Sequence, residues 1–83
     1  MELLKSDLFK LGSTVFEVDN YTCFVCKCDG SFMETIIIRE CLKLFGDYKI
    51  IKEADFYWEN DECDWAVYTN FPWAEYMAYK TND

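Results

Sequence analysis

The stretch from Glu53 to Tyr79 constrains most strongly what this chain can fold into. It holds nine aromatic residues and seven carboxylates, including all three tryptophans, and it contains no Lys or Arg. Aromatic side chains favour burial, whereas carboxylates have to stay in water or find cations elsewhere. The stretch accounts for −7 of the net charge of −8. Such segregation of charge is typical of a surface that a basic partner recognises.

The size and composition of the chain predict one compact domain over residues 1–83. The hydrophobic fraction of 52% is too high for a disordered chain, despite the charge. No apolar run approaches the roughly 20 residues that a membrane helix needs, and the first residues do not resemble a secretory signal. We therefore expect a cytoplasmic protein, acting in the host cytoplasm if the source is viral. A sequence pI near 4.3 argues against direct contact with nucleic acid or an anionic membrane.

Two β-hairpins are predicted, one on each side of a central helix. Residues 14–18 and 21–28 are rich in β-branched and aromatic residues, and Asp19-Asn20 between them suits a two-residue turn. Residues 49–58 and 63–69 form the second hairpin, with residues 59–62 as its loop. A loop of four residues fixes the register of the two strands. In that register, one face of the hairpin is expected to be core and holds Ala54, Phe56, Trp58, Cys63, Trp65 and Val67. The opposite face holds Glu53, Asp55, Tyr57, Asp64, Ala66 and Tyr68.

The central helix is predicted over residues 32–45. Ser31 and Glu34 form a capping box after the Asp29-Gly30 turn, and Gly46 ends the helix. Its apolar face is expected to contain Met33, Ile37, Cys41, Leu44 and Phe45. Short terminal helices fit residues 3–11 and residues 70–80, the latter with Pro72 in its first turn, although residues 3–11 also fit a strand. The fold class is therefore α+β, with a sheet of about four antiparallel strands packed by one capped helix and carboxylates and tyrosines on its other face.

Few residue patterns in this sequence indicate catalysis. We therefore expect a protein that is not an enzyme and needs no cofactor. The chain has no His, which excludes Ser-His-Asp and Cys-His pairs. The three glycines are isolated, so no Gly-rich phosphate loop is present. The acids near residues 59–64 lack the spacing of a calcium-binding loop.

Cysteine spacing raises a structural zinc site as a minor interpretation. Cys23, Cys26 and Cys28 could supply three ligands. An extended backbone, however, would send Cys23 and Cys26 to opposite faces of a strand. An odd number of cysteines without a secretory signal favours reduced, buried thiols.

The acidic and aromatic face of the second hairpin is the predicted binding surface. Closely spaced carboxylates repel one another unless a cation relieves them, and tyrosines beside them supply rigid contact area. The candidate partner-binding residues are Glu53, Asp55, Tyr57, Glu59, Asp61, Glu62, Asp64 and Tyr68.

The function that these features favour is inhibition of a basic protein, such as a nuclease or another nucleic-acid-binding protein. In composition the chain resembles small phage-encoded inhibitors of host or defence proteins, including nucleic-acid mimics, and toxin-neutralising immunity proteins. The alternative is a structural or assembly protein that forms homo-oligomers through Trp73, Tyr76, Met77 and exposed parts of Trp58 or Trp65. A small cysteine-ligated zinc module is the third interpretation.

Overall fold

The protein folds as a four-stranded antiparallel sheet with its helices packed on one face, which confirms the α+β class. The computed structural model describes residues 2–27 and 31–81. Along the chain the elements are a 3-10 helix (Lys5–Lys10), β1 (Thr14–Val18), β2 (Tyr21–Cys26), α1 (Ser31–Phe45), β3 (Ile50–Tyr57), β4 (Cys63–Pro72) and α2 (Trp73–Thr81). The strand order is β1-β2-β4-β3, so β1 and β3 are the edge strands.

The first hairpin has the predicted register. Asp19 and Asn20 adopt φ values of 52° and 74°, which a type I′ turn requires. Phe16 lies opposite Cys23, as the two-residue turn predicts. Strand β2 ends at Cys26, two residues before the predicted end, and the predicted Asp29-Gly30 turn lies outside the described residues.

The second hairpin differs from the prediction by one residue of register. Tyr57 lies opposite Cys63, so the connecting loop has five residues, 58–62, instead of four. The Trp58 amide donates to the Glu62 carbonyl at 2.8 Å, and Asp61 adopts a φ of 66°. A one-residue slip moves every side chain of one strand to the other face relative to its partner. The predicted separation of a core face from an acidic face is therefore wrong.

Helix α1 covers one face of the sheet with a set of side chains that agrees with the prediction in part, since Cys41 is buried and Ile37 and Phe45 pack against the core as expected. Ile38, Cys41 and Leu42 are completely buried, whereas the expected core residues Met33 and Leu44 are 56% and 44% exposed. The run Ile36-Ile37-Ile38 fits either phase of a helix, which explains the error. The helix begins at Ser31, one residue early, and ends before Gly46 as predicted. The side chain of Ser31, half of the predicted capping box, lies outside the described part of the chain.

The terminal helices also pack on the face that α1 covers. The 3-10 helix buries Leu8, and α2 buries Tyr76, both against the core formed with Phe24 and Phe71. Pro72 belongs to the end of β4 rather than to the first turn of α2. The reason is pairing with β2, because Tyr21 lies opposite Pro72 and the Thr22 hydroxyl donates to the Phe71 carbonyl at 2.9 Å.

Within the described residues, the face of the sheet away from the helices is largely apolar, and of the carboxylates and tyrosines predicted there it carries Asp64 and Tyr68 but not Glu53, Asp55 or Tyr57. Cys23, Val25 and Ala66 form a second buried cluster, with Phe56, Trp58 and Tyr68 packed against it. The Phe16 ring stacks on the Phe56 ring with centroids 5.8 Å apart. We call this surface the open face. In the described part of the chain, no helix is long and apolar enough to cross a membrane.

Candidate acidic interface

Five of the eight predicted binding residues lie together at one end of the β3–β4 hairpin. Asp55 and Tyr57 are two residues apart on edge strand β3, and their side chains leave the same side of the sheet. Glu59, Asp61 and Glu62 belong to the exposed loop that follows. We define Asp55, Glu59, Asp61 and Glu62 as the acidic tip. Tyr57 lies among them with 67% of its surface exposed.

Glu53 is on the same side of β3 but is already engaged with residues of this chain. Its carboxylate accepts a hydrogen bond from the Trp65 indole nitrogen at 3.0 Å. Arg39 of α1 approaches the other carboxylate oxygen at 3.9 Å. Glu53 is thereby tied to the face that the helices cover, and its contribution to a binding surface is smaller than that of the acidic tip.

Asp64 and Tyr68 lie on the open face, away from Asp55 and Tyr57. Asp64 is only 8% exposed and accepts a hydrogen bond from the Trp58 indole nitrogen at 2.6 Å. Lys27 lies 3.9 Å from the same carboxylate oxygen. Tyr68 is half-buried beneath Lys52, whose ammonium lies 4.5 Å from the centre of the ring. The structure therefore splits the predicted row into an exposed group on one side and two engaged residues on the other.

A groove at the acidic tip includes residues that the sequence prediction assigned to the core. The groove has a volume of about 570 Å³ and is lined by Phe56, Tyr57, Trp58, Glu59, Asn60 and Glu62. Phe56 and Trp58 are half-buried rather than fully enclosed. The length of the loop is the signal that could have revealed Phe56 and Trp58 as groove residues. A five-residue loop with Asp61 at positive φ places Phe56 opposite Asp64, whereas a four-residue loop does not.

Three of the four described cysteines, Cys23, Cys26 and Cys41, are buried thiols, and Cys63 is half-buried. Cys23 and Cys26 belong to clusters on opposite faces of the sheet, as the extended backbone predicts. Burial raises the pKa of the Cys26 thiol to about 12, and burial also raises the pKa values of Cys23 and Cys41. A zinc ligand has to be a thiolate, so these pKa shifts oppose metal binding. Within residues 2–27 and 31–81, no group of three or more candidate ligands is placed to hold a metal ion, and Cys28 lies outside those ranges.

Comparison of the chain with protein-family models, with curated proteins and with solved structures finds no match.

Proposed function

We propose that this protein binds and blocks a basic, nucleic-acid-binding protein through its acidic tip. One observation carries the proposal. The four carboxylates of the acidic tip are exposed around Tyr57, whereas Lys27 and Arg39 approach Asp64 and Glu53 instead. The negative charge of the acidic tip is thus presented outward and is available to a partner.

The electrostatics of the acidic tip suit recognition of a cationic surface. Neighbouring carboxylates repel each other, and a basic partner relieves that repulsion when it binds. Exposed charges also speed the encounter of complementary surfaces, with an effect that salt weakens over a Debye length of about 8–10 Å. Binding through the acidic tip is therefore expected to be fast and sensitive to salt.

Tyr57 and the adjoining groove would supply the contact area that charges alone lack. Aromatic side chains bury large surfaces at little cost in side-chain entropy and often dominate the energy of an interface. The carboxylates would occupy positions where the partner holds phosphates, so the protein would act as a nucleic-acid mimic. This role fits a phage-type anti-host or anti-defence protein, or an immunity protein that neutralises a toxin.

The test uses proteins from a cell extract that are retained on immobilised duplex DNA. The wild type is compared with a tip variant carrying Asp55→Asn, Glu59→Gln, Asp61→Asn and Glu62→Gln. The matched control variant carries Glu2→Gln, Glu17→Gln, Asp19→Asn and Asp47→Asn, four exposed acids elsewhere that give the same change in net charge. Each form of the acidic protein is immobilised, and binding of the extracted DNA-binding proteins to it is measured at about 50 and about 500 mM salt. These concentrations lie below and above the physiological ionic strength.

We expect the wild type and the control variant to retain the same basic protein at low salt and to release it at high salt. The tip variant should retain at least about tenfold less, which corresponds to roughly 1.4 kcal/mol. Equal retention by the tip variant would mean that the acids only keep the protein soluble. Equal losses in both variants would assign the binding to net charge rather than to this surface.

Self-association is the second candidate function, through the open face rather than through the predicted surface of Trp73, Tyr76 and Met77, because Tyr76 is buried in the core. Phe16 and Val18 are each 37% exposed there, beside the half-buried rings of Phe56 and Trp58. Two such sheets could pack face to face, as in a β-sandwich. Sedimentation at two salt concentrations separates the candidates. A homo-oligomer that strengthens with salt supports assembly, whereas a salt-sensitive complex with a basic protein supports inhibition.

A further inference from the structure

The groove at the acidic tip combines aromatic surface with negative charge. Three consecutive aromatic residues, Phe56, Tyr57 and Trp58, line it together with the carboxylates of Glu59 and Glu62. None of the described residues that line it is Lys or Arg. The groove therefore offers apolar faces and hydrogen-bond acceptors to a ligand, but no positive charge.

The Trp58 ring is held in place before any ligand arrives. Its indole nitrogen donates to the buried carboxylate of Asp64 at 2.6 Å, a short charge-assisted hydrogen bond. The Phe56 ring meets it edge-on at 4.8 Å between centroids, and the Phe16 ring lies 6.0 Å away. A side chain fixed in this way loses little conformational entropy on binding.

Of the protein side chains, arginine fits both parts of the groove best. An apolar side chain would remove water from Glu59 and Glu62 without replacing their hydrogen bonds, and an acidic one would be repelled. Lysine supplies a compact, strongly hydrated charge. Arginine is planar, stacks on aromatic faces and donates a fork of hydrogen bonds that matches a carboxylate.

We propose that the groove binds an arginine side chain of the basic partner, with the guanidinium stacked on Trp58 and hydrogen-bonded to Glu59 or Glu62. This inference rests on the proposed function and adds the residue type that the partner presents. It makes Trp58 a central contact of the interface, beside Glu59 and Glu62 of the acidic tip. Arginine and tryptophan are both enriched among the residues that dominate the binding energy of interfaces.

The experiment titrates capped tripeptides into the ¹⁵N-labelled protein and follows the indole N–H signals of its three tryptophans by NMR. The peptides are Gly-Arg-Gly, Gly-Lys-Gly and Gly-citrulline-Gly, which differ in charge and shape at one side chain. We expect the arginine peptide to shift the Trp58 signal saturably and to leave Trp73, on α2, unchanged. The lysine peptide should bind about fivefold more weakly. Citrulline, which is neutral, should give no saturable shift.

Paired variants identify the residues responsible. Glu59→Gln with Glu62→Gln should weaken binding of the arginine peptide about tenfold. The control pair, Glu17→Gln with Asp19→Asn, lies on and beside the opposite edge strand and should leave it unchanged. Equal shifts with arginine and citrulline, or no shift of Trp58, would overturn the inference.

The two proposals fail in different ways. If a basic protein is retained through the acidic tip while the arginine peptide leaves Trp58 unaffected, the groove is not an arginine site and the proposed function stands. If retention of the basic protein is independent of the acidic tip, the proposed function fails and the inference fails with it.

Discussion

At the scale of single residues, Asp64 has a structural role, although its charge led to its prediction as a binding residue. Of the carboxylates between Glu53 and Tyr79, Asp64 is the one buried on the open face, and it orients Trp58 through a 2.6 Å hydrogen bond. Sequence patterning grouped it with the exposed acids because it alternates with Cys63 and Trp65. Burial of a carboxylate is costly unless its oxygens are paired, and Trp58 and Lys27 supply that pairing.

Replacing Asp64 by Ala should therefore destabilise the protein. The Trp58 indole N–H would lose its acceptor in a half-buried site, at a cost of about 1–3 kcal/mol in the free energy of unfolding. Urea unfolding measures the change. Asp55→Ala is the matched control, because Asp55 is an exposed acid on the neighbouring strand, and it should change stability by less than about 0.5 kcal/mol. Equal effects of the two substitutions would refute the structural role of Asp64.

The thiol of Cys26 gives the stability a dependence on alkaline pH. Burial raises its pKa from 9.0 to about 12, with Glu34 adding to the shift and the Ser13 hydroxyl opposing it. The folded state thus holds the proton more tightly than the unfolded state. The resulting stabilisation is complete below pH 9 and is lost as the pH rises toward 12.

Urea unfolding from about pH 8 to about pH 11 tests this dependence. The free energy of unfolding should fall above pH 9, with Cys26 contributing at most about 1.4 kcal/mol per pH unit. Cys26→Ala should reduce the slope, although buried Cys23, Cys41 and Tyr76, whose pKa values are also raised by burial, keep part of it. An unchanged slope in Cys26→Ala would contradict the assignment.

At the scale of elements, the two hairpins show what the sequence can and cannot predict. Asp19 and Asn20 both tolerate positive φ, so the first turn length and the register of β1 with β2 follow from them directly. In the second hairpin several polar residues compete for the turn. Asp61 takes the left-handed conformation there, and this choice lengthens the loop by one residue. The predicted strand boundaries of both hairpins are close to those observed. In the second hairpin, however, the prediction of which side chains share a face is wrong.

A disulfide test distinguishes the two registers of the second hairpin. Tyr57→Cys should form a disulfide readily with the native Cys63, because the two residues lie directly opposite each other. Trp58→Cys should do so slowly, since position 58 contributes to the opposite face. Mass spectrometry after mild oxidation measures both rates. Faster crosslinking from position 58 would support the four-residue loop instead.

The end of α1 depends on a glycine. Gly46 has a φ of +155°, and an added Cβ would meet the Tyr48 ring at 3.4 Å. Gly46→Ala should lower the free energy of unfolding by about 1–3 kcal/mol. Gly12→Ala is the control, because its nearest contact would be Glu34 at 3.9 Å and its φ is ordinary. If thermal or urea unfolding shows the same small effect for both, the strain at Gly46 is absent.

At the scale of the whole molecule, the fold distributes the residues of 53–79 over three surfaces. The helices cover one face of the sheet, the open face presents an aromatic cluster, and the acidic tip projects at the end of the β3–β4 hairpin. Charge segregation was visible in the sequence, whereas the groove was not, because it depends on the register that brings Phe56, Trp58 and the loop acids together. The acids that remain exposed are fewer than predicted and lie closer together along the chain.

The most direct test of the central claim measures DNA binding by the basic protein that the wild type retains. Duplex DNA and that protein are mixed, and the fluorescence anisotropy of the DNA is followed as each form of the acidic protein is added. We predict that the wild type and the control variant displace the DNA completely, and that the tip variant displaces it only at concentrations at least about tenfold higher. Displacement at equal concentrations by all three forms, or a ternary complex that keeps the DNA bound, would contradict the account.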